Sequence, residues 1–326
     1  MKAQNTSVSP FHGDALREAA ERIRKGEVVA VPTETVYGLA ADATNAAAVA
    51  RIYEAKGRPA FNPLIVHLGP EEAQRHAWFD DTARALAAVF WPGPLTLVLP
   101  RRATSDLAPA VSAGLPTVAL RCPAHPIMQA LIVASGRPLA APSANASGTV
   151  SPTRAEHVLA SLGGRIRWII DGGPTEQGLE STILAVENGE VRLLRLGPIS
   201  PAQIEAVLNP PGMRGRERRV ATSGRLEGMA VEAPGQLQSH YAPVKPVRLA
   251  ATEADPDEWL IGFAAVQGDD SLSPSGDLTE AAARLFDALH RADAQARPRI
   301  AVAPIPDCGI GLAINDRLRR AAAPRA

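Results

Sequence analysis

The sequence of 326 residues has few cysteines and no excess of either charge. Its 2 cysteines, Cys122 and Cys308, lie far apart and form no CxxC pair, which argues against a disulfide framework or a structural zinc site. Basic and acidic residues number 34 each, so the strongly basic surface of a dedicated nucleic-acid binder is not indicated. Any contact with RNA is therefore expected to be weak, local or transient.

Long apolar runs are also missing. No stretch of about 18 uninterrupted apolar residues occurs, so no membrane-spanning helix and no membrane partner are expected. The first residues, MKAQNTSVSPFHGD, lack the continuous apolar segment of a signal peptide. Together with the sparse cysteines, these absences predict a cytoplasmic protein. Its length exceeds that of one typical domain and favours two.

The stretch 31–67 carries the densest set of candidate functional residues. An apolar strand is predicted at 28–31 and ends at Pro32, because proline has no N–H to donate to a sheet. This leaves the Thr33-Glu34-Thr35 segment at the strand end, where ligands of α/β sheets commonly bind.

A predicted helix follows, with Asn45 as its N-cap and Gly57 as its C-terminal stop. Gly57 separates Lys56 from Arg58. Two cations around a flexible glycine suit a polyphosphate. The alternative is that they only offset the dipole at the end of the helix.

The remaining pattern to residue 208 alternates strands and helices. The predicted helices are one capped by Asp14, one over 71–90, one over 126–135, one opened by Ser151 with Pro152 at its first position, and one opened by the capping box Ser200-Pro201-Ala202-Gln203 and ending at Leu208. The helix end at Ser151 is also a candidate phosphate site. Thr117 and Arg121 flank a predicted strand at 118–120, and an Asn188-Gly189 hairpin turn leads to a return strand that ends at Arg195.

A change in composition marks the end of the first domain. Residues 209–231 are rich in proline, glycine and arginine and have little apolar periodicity, which is typical of a linker. From 246 onward, strands at 247–249, 259–263 and 300–302 alternate with helices at 277–291 and 312–322, which predicts a small parallel Rossmann-like sheet. It has no GxGxxG motif and no P-loop, so it is not expected to bind a nucleotide by itself.

Four segments in order, PTETVYGL, KGRP, NPLIVH and PSAN, together resemble the YrdC-like family of threonylcarbamoyl-AMP synthases. The segment at 234–243, PG followed by HYAP, is similar to the interdomain linker of the two-domain members; archaeal relatives usually carry methionine where Gln236 stands. The resemblance implies an α/β fold with a YrdC-like twisted mixed sheet, a central cavity and flanking helices, plus a smaller Rossmann-like α/β C-terminal domain. The domain boundaries would be 1–208, 209–245 as linker and lid, and 246–326.

The resemblance also implies a reaction, an L-threonylcarbamoyladenylate synthase activity that uses L-threonine, bicarbonate and ATP for tRNA modification next to the anticodon. A downstream tRNA threonylcarbamoyl transferase would receive the product. The implied ATP side comprises Lys56, Arg58, Asn62, Thr117, Ser143, Asn145, Ser151 and Arg195, with Lys56 and Arg58 as the catalytic pair. The implied L-threonine side comprises Thr35, His67, Arg121, Ala141 and Ser181.

Magnesium is expected to arrive with ATP, with no protein side chain as its ligand. His240 and Tyr241 are expected to act as a lid, because carbamates decompose in water. The alternative for this segment is a passive tether. Two other functions stay open at this point: a double-stranded RNA or tRNA-binding module without chemistry, and another carbamoyl-adenylate transferase of the kind found in hydrogenase maturation.

Overall fold

The computed structural model describes residues 5–210, 220–222, 231–236 and 240–324. The five arginines that make the linker basic, Arg214, Arg216, Arg218, Arg219 and Arg225, lie outside these residues. None of the helices in the described ranges is both long enough and apolar enough to cross a bilayer.

The first domain is built on an 11-stranded mixed sheet. Its strands are β1 (Ser7–Pro10), β2 (Val29–Val31), β3 (Gly38–Asp42), β4 (Ile65–His67), β5 (Leu95–Pro100), β6 (Thr117–Arg121), β7 (Leu139–Ala140), β8 (Trp168–Asp171), β9 (Thr182–Glu187), β10 (Glu190–Arg195) and β11 (Ala221–Thr222). Their order is β1-β8-β2-β3-β7-β4-β6-β5-β9-β10-β11. The central strands are buried on both faces and have the near-continuous apolar sequences that such positions require.

Seven helices of this domain flank the sheet in the described residues. They are α1 (Gly13–Arg24), α2 (Ala46–Lys56), α3 (Pro70–His76), α4 (Asp81–Phe90), α5 (Pro126–Ser135), α6 (Ala155–Leu162) and α7 (Pro201–Leu208). The predicted ends of α2 are confirmed: the Asn45 side chain accepts from two backbone N–H groups, and Gly57 closes the helix at φ 59°. The capping box of α7 is confirmed as well.

Three helix predictions were wrong in detail. The region 71–90 forms two helices, because the chain breaks at 77–80 and Asp80 caps α4 anew. His12 rather than Asp14 caps α1. Ser151 does not open a helix, because its hydroxyl donates to Glu180; α6 begins only at Ala155. The phosphate site predicted at a helix end by Ser151 is therefore not formed there.

The second domain has a 4-stranded parallel sheet, as the alternation of strands and helices predicted. The strands are β12 (Val247–Arg248), β13 (Glu258–Gly262), β14 (Asp270–Ser271) and β15 (Arg299–Val302), in the order β12-β15-β13-β14. The helices are α8 (Leu278–Asp293) and α9 (Gly311–Ala322). Strand β14 is too short and polar to have been recognised from the sequence. In the linker, β11 adds a short edge strand to the first sheet that the composition did not predict.

The two domains share a hydrophobic core. Val36, Val150 and Leu179 of the first domain pack into the same buried cluster as Tyr241 and the apolar face of α8. The fit is close at Gly178, where an added Cβ would lie 2.5 Å from the carbonyl oxygens of Ala282 and Ala283. The second domain is therefore packed directly against the first one.

Candidate active site

A central cavity lies at the ends of β4, β6 and β10, between the first sheet and the linker. Its volume is about 40 Å³. The residues around it are Thr33, Thr35, Val36, Gly38, Arg58, Ile65, His67, Arg121, Ala141, Pro142, Ser143, Glu180, Ser181, Arg195, Pro234, Gly235, His240 and Tyr241. The structure thus brings together every residue assigned by resemblance to the threonine side and to the lid. From the ATP side it brings Arg58, Ser143 and Arg195 to the cavity wall.

Arg121 is the main cation at one end of the cavity. Its guanidinium donates to Thr35 Oγ1 (2.9 Å), to Glu34 Oε1 (2.6 Å) and to the carbonyl of Gly93 (3.3 Å). Burial alone would raise the pKa of Glu34, but the charge of Arg121 outweighs it and the pKa of this carboxyl lies below its usual value. A guanidinium has five N–H groups, so two remain for a ligand carboxylate.

His67 lies beside Arg121 and is neutral. Burial, reinforced by the charge of Arg121, lowers its pKa to about 3. Its Nδ1 is buried without a hydrogen-bond partner. An unpaired buried nitrogen is costly, and a ligand that bonds to it removes this cost. His67 therefore fits a binding role better than a structural one.

Arg58 is the cation nearest the other end of the cavity. Its Nε and Nη2 donate to Asn62 and to the carbonyl of Pro63, whereas Nη1 makes none of the hydrogen bonds found in the described residues. Burial lowers the pKa of Arg58 to about 10, so it keeps its charge at neutral pH. The Nδ2 of Asn62 is also buried without a partner. One N–H-bearing group on each residue is thus available to an anion.

Lys56 lies close to Arg58 in the sequence but does not border the cavity. Its ammonium donates to the backbone carbonyls of Ser143 and Asn145 and, at 3.4 Å, to Asn145 Oδ1. Asn145 Nδ2 in turn donates to the carbonyl of Thr149. Burial, and next the charge of Arg58, lower the pKa of Lys56 well below its usual value. The end of α2 and the PSAN loop, residues 142–145, therefore form one unit that lysine holds together.

Arg195 and Ser181 form another part of the cavity wall. Arg195 donates through Nε to the carbonyl of Ser181 and through Nη2 to its hydroxyl, both at 3.0 Å. That hydroxyl also lies 2.8 Å from Thr96 Oγ1. The contact between Arg195 and Ser181 joins a residue of the implied ATP side to one of the implied threonine side.

The described linker residues cross the cavity face of the sheet, and we call 231–236 together with 240–243 the strap. Pro234 and Gly235 line the cavity, and Ala233 is fully buried against a sheet cluster that includes Ile65 and Val98. The Gln236 side chain accepts from the N–H groups of Glu232 and Ala233, which accounts for its position. At the other end, Ala242 N donates to the carbonyl of Gly148, beside the PSAN loop.

Thr117 is a predicted site residue that borders a different cavity. It stands at the beginning of β6, whereas Arg121 stands at its end, and it lines a second cavity of about 280 Å³. The same cavity is bordered by Arg192 and by Glu232 of the strap, which are joined by two hydrogen bonds of 3.2 and 2.7 Å. The strap thus runs between the two cavities.

Two buried acids at this site, Glu34 and Glu180, were given no role of their own in the sequence analysis, which named Glu34 only as part of the strand-end segment. Glu34 holds Arg121, and Glu180 accepts from Ser151 and from Arg317 of the second domain. A possible signal was present, since each stands next to a hydroxyl residue at a strand end. Their partners are distant in sequence, however, and only the fold brings them together.

No set of three or more metal-binding side chains forms a metal site within the described part of the chain. The carboxylate that borders the central cavity, Glu180, has both oxygens engaged by Ser151 and Arg317. The donor set here consists of cations, amides and hydroxyls. It suits anionic oxygens, and it would suit a metal ion only if that ion arrived on the ligand.

Comparison with known families gives this geometry a context. Residues 21–197 match the Sua5/YciO/YrdC family, described as "Telomere recombination", and residues 199–323 match a family described as "Threonylcarbamoyl-AMP synthase, C-terminal domain". The chain belongs to the two-domain threonylcarbamoyl-AMP synthases. As a member of this family it is a nucleotidyltransferase that acts in tRNA modification, and the prediction made from its motifs is confirmed.

Full-length relatives of this synthase family agree with the assignment. A threonylcarbamoyl-AMP synthase of Bacillus subtilis is 43% identical, with 95% of this chain and 93% of the relative covered. The Pyrococcus abyssi enzyme is 41% identical over 95% of this chain and 94% of its own length. A crystal structure of P. abyssi Sua5 with L-threonine matches at a TM-score of 0.85 and 38% identity, covering 98% of this chain and 97% of that one. The predicted fold class is confirmed by this match.

Proposed function

We propose that this synthase joins L-threonine, bicarbonate and ATP in the central cavity to give L-threonylcarbamoyl-AMP, pyrophosphate and water. The observation that carries this proposal is that three buried arginines, Arg121, Arg58 and Arg195, border one cavity. An amino-acid carboxylate and a triphosphate each need such a cation. Catalysis of adenylyl transfer depends mainly on positioning and charge, so no nucleophilic side chain is needed.

The threonine end is built around Arg121. The two remaining guanidinium N–H groups hold the substrate carboxylate, while Thr35 and Glu34 keep the guanidinium in place. His67 and Ser181 supply neutral polar atoms for the amino-acid head and side-chain hydroxyl, and Ala141 forms the wall. The amine reacts with bicarbonate to form a carbamate and release water. A carbamate oxygen then attacks the α-phosphorus, and pyrophosphate leaves.

On the ATP side, the phosphates lie against Arg58, Ser143 and Arg195, with the unpaired amide of Asn62 close by. Lys56 and Asn145 act here by shaping the PSAN loop, and Ser151 acts from behind Glu180. Thr117 is reached if the nucleotide extends along the sheet into the second cavity. Magnesium, bound to phosphate oxygens and water, would reduce the charge that the cations must balance.

The strap is proposed to open for substrate entry and to close for reaction. A central cavity of about 40 Å³ is far below the ~300–1,000 Å³ of typical small-molecule sites. ATP can therefore enter only when the strap moves. In the closed form, His240 and Tyr241 keep water away from the carbamate.

The product is a reactive mixed anhydride, so a tRNA threonylcarbamoyl transferase must consume it soon after release. Direct contact of this chain with tRNA would be weak, given the neutral net charge. Both cysteines are free, Cys122 buried and Cys308 exposed, which is consistent with a reducing cytoplasmic location.

The experiment that tests this function is a pyrophosphate-release assay in which threonine, bicarbonate and ATP are omitted one at a time. Release must require all three, and the nucleotide product must carry the threonylcarbamoyl group by mass spectrometry. Release without threonine would instead indicate a simple ATP pyrophosphohydrolase, and tRNA binding without release would favour the RNA-binding alternative.

A further inference from the structure

Arg317 of α9 is a second-domain cation whose side chain contacts the first domain. Its side chain is fully buried. Nε donates to Glu180 Oε2 (2.8 Å), and Nη2 donates to the carbonyl of Leu196 (2.7 Å). Its guanidinium carbon also lies 5.0 Å from the ring centroid of Tyr241, within cation–π range. One side chain therefore contacts three separate segments that border the active site.

Each of these segments carries a residue that the function uses. Glu180 accepts a hydrogen bond from the Ser151 hydroxyl through its other oxygen. Leu196 directly follows Arg195. Tyr241 belongs to the strap. Burial opposes ionisation of Glu180, but the charges of Arg317 and then Arg195 keep its pKa below the usual value. Glu180 is therefore a carboxylate when it accepts the hydrogen bond from Ser151.

A second contact also runs from the second domain to Ser151. His290 of α8 lies with its Nε2 3.1 Å from the backbone carbonyl of Ser151. The second domain thus fixes both the main chain and, through Glu180, the side chain of this residue. Two helices from the second domain converge on one residue of the implied ATP side.

Stability alone does not account for the buried pair. Removing two charges from water costs free energy that their attraction often fails to recover, and apolar residues of similar size frequently stabilise a protein more. What the pair supplies is a fixed orientation of Glu180 and of the groups bonded to it. Such an orientation is useful where a ligand must be positioned.

We propose that Arg317 is a positioning residue for the ATP side of the active site, and that the second domain thereby completes this site. This inference rests on the proposed function, because it uses the assignment of Ser151 and Arg195 to ATP. Arg317 does not border the cavity, and it acts through Glu180, the carbonyl of Leu196 and the ring of Tyr241. The C-terminal domain is then a part of the catalytic unit and not only an anchor for the strap.

The test begins with Arg317→Met, which keeps the length of the side chain and removes its donors. The KM for ATP should rise about tenfold, the loss expected for a charged hydrogen-bond network, while the KM for threonine changes less than about threefold. The Kd for ATP, measured by calorimetry, should weaken in parallel. This binding readout does not depend on turnover.

The double variant Glu180→Gln/Arg317→Met separates an effect on ATP binding from an effect on folding. It leaves no unpaired buried carboxylate, which would destabilise the single variant. Its Tm should return toward that of the wild type, while ATP binding stays weak. The matched control is Arg154→Met, which breaks another contact between the domains, to Asp287 (3.1 Å), and touches none of the three segments. This control should leave the affinity for ATP unchanged.

Three results would overturn the inference: unchanged ATP binding in folded Arg317→Met, equal losses for ATP and threonine, or recovery of ATP binding together with Tm in the double variant. Failure of the proposed function looks different. In that case the wild type itself releases no pyrophosphate in response to threonine and bicarbonate, whereas the calorimetric comparison still decides the role of Arg317.

Discussion

Single residues in this synthase act mostly by holding other residues. Lys56 holds the PSAN loop, Glu34 holds Arg121, and Arg317 holds Glu180. Each of these groups is buried and hydrogen-bonded, so each has a defined geometry before any substrate binds. Preorganised charge of this kind is what stabilises an adenylyl transfer. The effects of substitutions should therefore be specific for one substrate or the other.

Arg121→Lys should weaken the binding of threonine far more than the binding of ATP. Lysine keeps a positive charge beside Glu34 but lacks the fork that contacts Thr35, Glu34 and a ligand carboxylate together. One lost charge-assisted bond contributes about 1.5–3 kcal/mol, so the KM for threonine should rise at least about tenfold. Steady-state kinetics with each substrate varied in turn provides the measurement. Equal changes in both KM values would contradict the assignment.

Gly235→Ala should impair the closed strap. Gly235 has φ 86°, and an added Cβ would lie 2.7 Å from Tyr241 Oη and 2.8 Å from Arg195 Cδ. The strap would then be displaced from the cavity, and pyrophosphate release should become uncoupled from threonylcarbamoyl-AMP formation. Both products are measured in the same reaction.

The control for this change is Gly114→Ala. Gly114 has a similar φ of 80°, but an added Cβ would meet nothing within 4 Å. The Gly114→Ala variant has the backbone strain without the collision. Its ratio of threonylcarbamoyl-AMP to pyrophosphate should therefore equal that of the wild type. A similar loss of coupling in both variants would assign the effect to strain alone.

At the scale of elements, helix α2 determines where Lys56 and Arg58 lie, and the strap covers the central cavity. Helix α2 begins at a side-chain cap and ends at a left-handed glycine, which places Lys56 and Arg58 on opposite sides of a sharp turn. The strap is held to Arg192 of β10 at Glu232 and to the loop of Gly148 at Ala242. These two elements should respond differently to substitution.

Asn45→Ala should lower stability and leave catalysis per folded molecule unchanged. The Asn45 side chain accepts from Ala47 N (3.0 Å) and Ala48 N (3.2 Å), and the loss of such a cap costs about 0.5–2 kcal/mol. Urea unfolding and active-site titration together give the result. Asn45→Asp, which keeps the acceptor, should behave as the wild type. A drop in kcat at full folding would mean that the cap also positions the cations.

Glu232→Gln should loosen the strap with little effect on stability. The Arg192–Glu232 pair is partly exposed, and such pairs contribute only about 0–1 kcal/mol. We expect the KM for ATP to change by about two- to fivefold, as this contribution implies, with Tm within error. The exposed pair Arg84–Asp81 gives a matched control through Asp81→Asn. If Asp81→Asn changes the KM equally, the strap is not pinned by Glu232.

The whole molecule depends on the contact between its two domains, and a stacked histidine pair lies in that contact. His157 of α6 and His290 of α8 have ring centroids 3.8 Å apart. Burial, then the charge of His157, lower the pKa of His290 to about 4. The titratable groups that face His290 are His157, Asp287 and Asp293.

Stability should therefore fall as the pH drops from about 6.5 to about 4. The folded pKa of His290 lies below its unfolded value, so in this window the unfolded chain binds a proton that the folded one does not. Above about 6.5 the contribution disappears because both states are neutral. His290→Gln keeps a donor for the Ser151 carbonyl and should show a shallower dependence, measured by urea unfolding at several pH values. Parallel curves for the two proteins would exclude this histidine as a cause.

The motifs alone were sufficient to predict the family and the fold class, whereas the domain boundaries and the residues assigned to the threonine end stay predictions. The reason is local, because each of these features depends on a short segment: a strand broken by Pro32, a helix capped by Asn45 and closed by Gly57, a hairpin at Asn188-Gly189. Burial of the strands also follows from their apolar composition.

Only the tertiary structure decided how these segments meet. It placed Thr117 beside a second cavity with Glu232, diverted the Ser151 hydroxyl from a helix cap to Glu180, and brought Arg317 across from the second domain. In each case the partners are far apart in sequence. A short polar segment can satisfy its hydrogen bonds in several ways, and the choice depends on which distant groups share its buried space, where an unpaired polar atom costs the most.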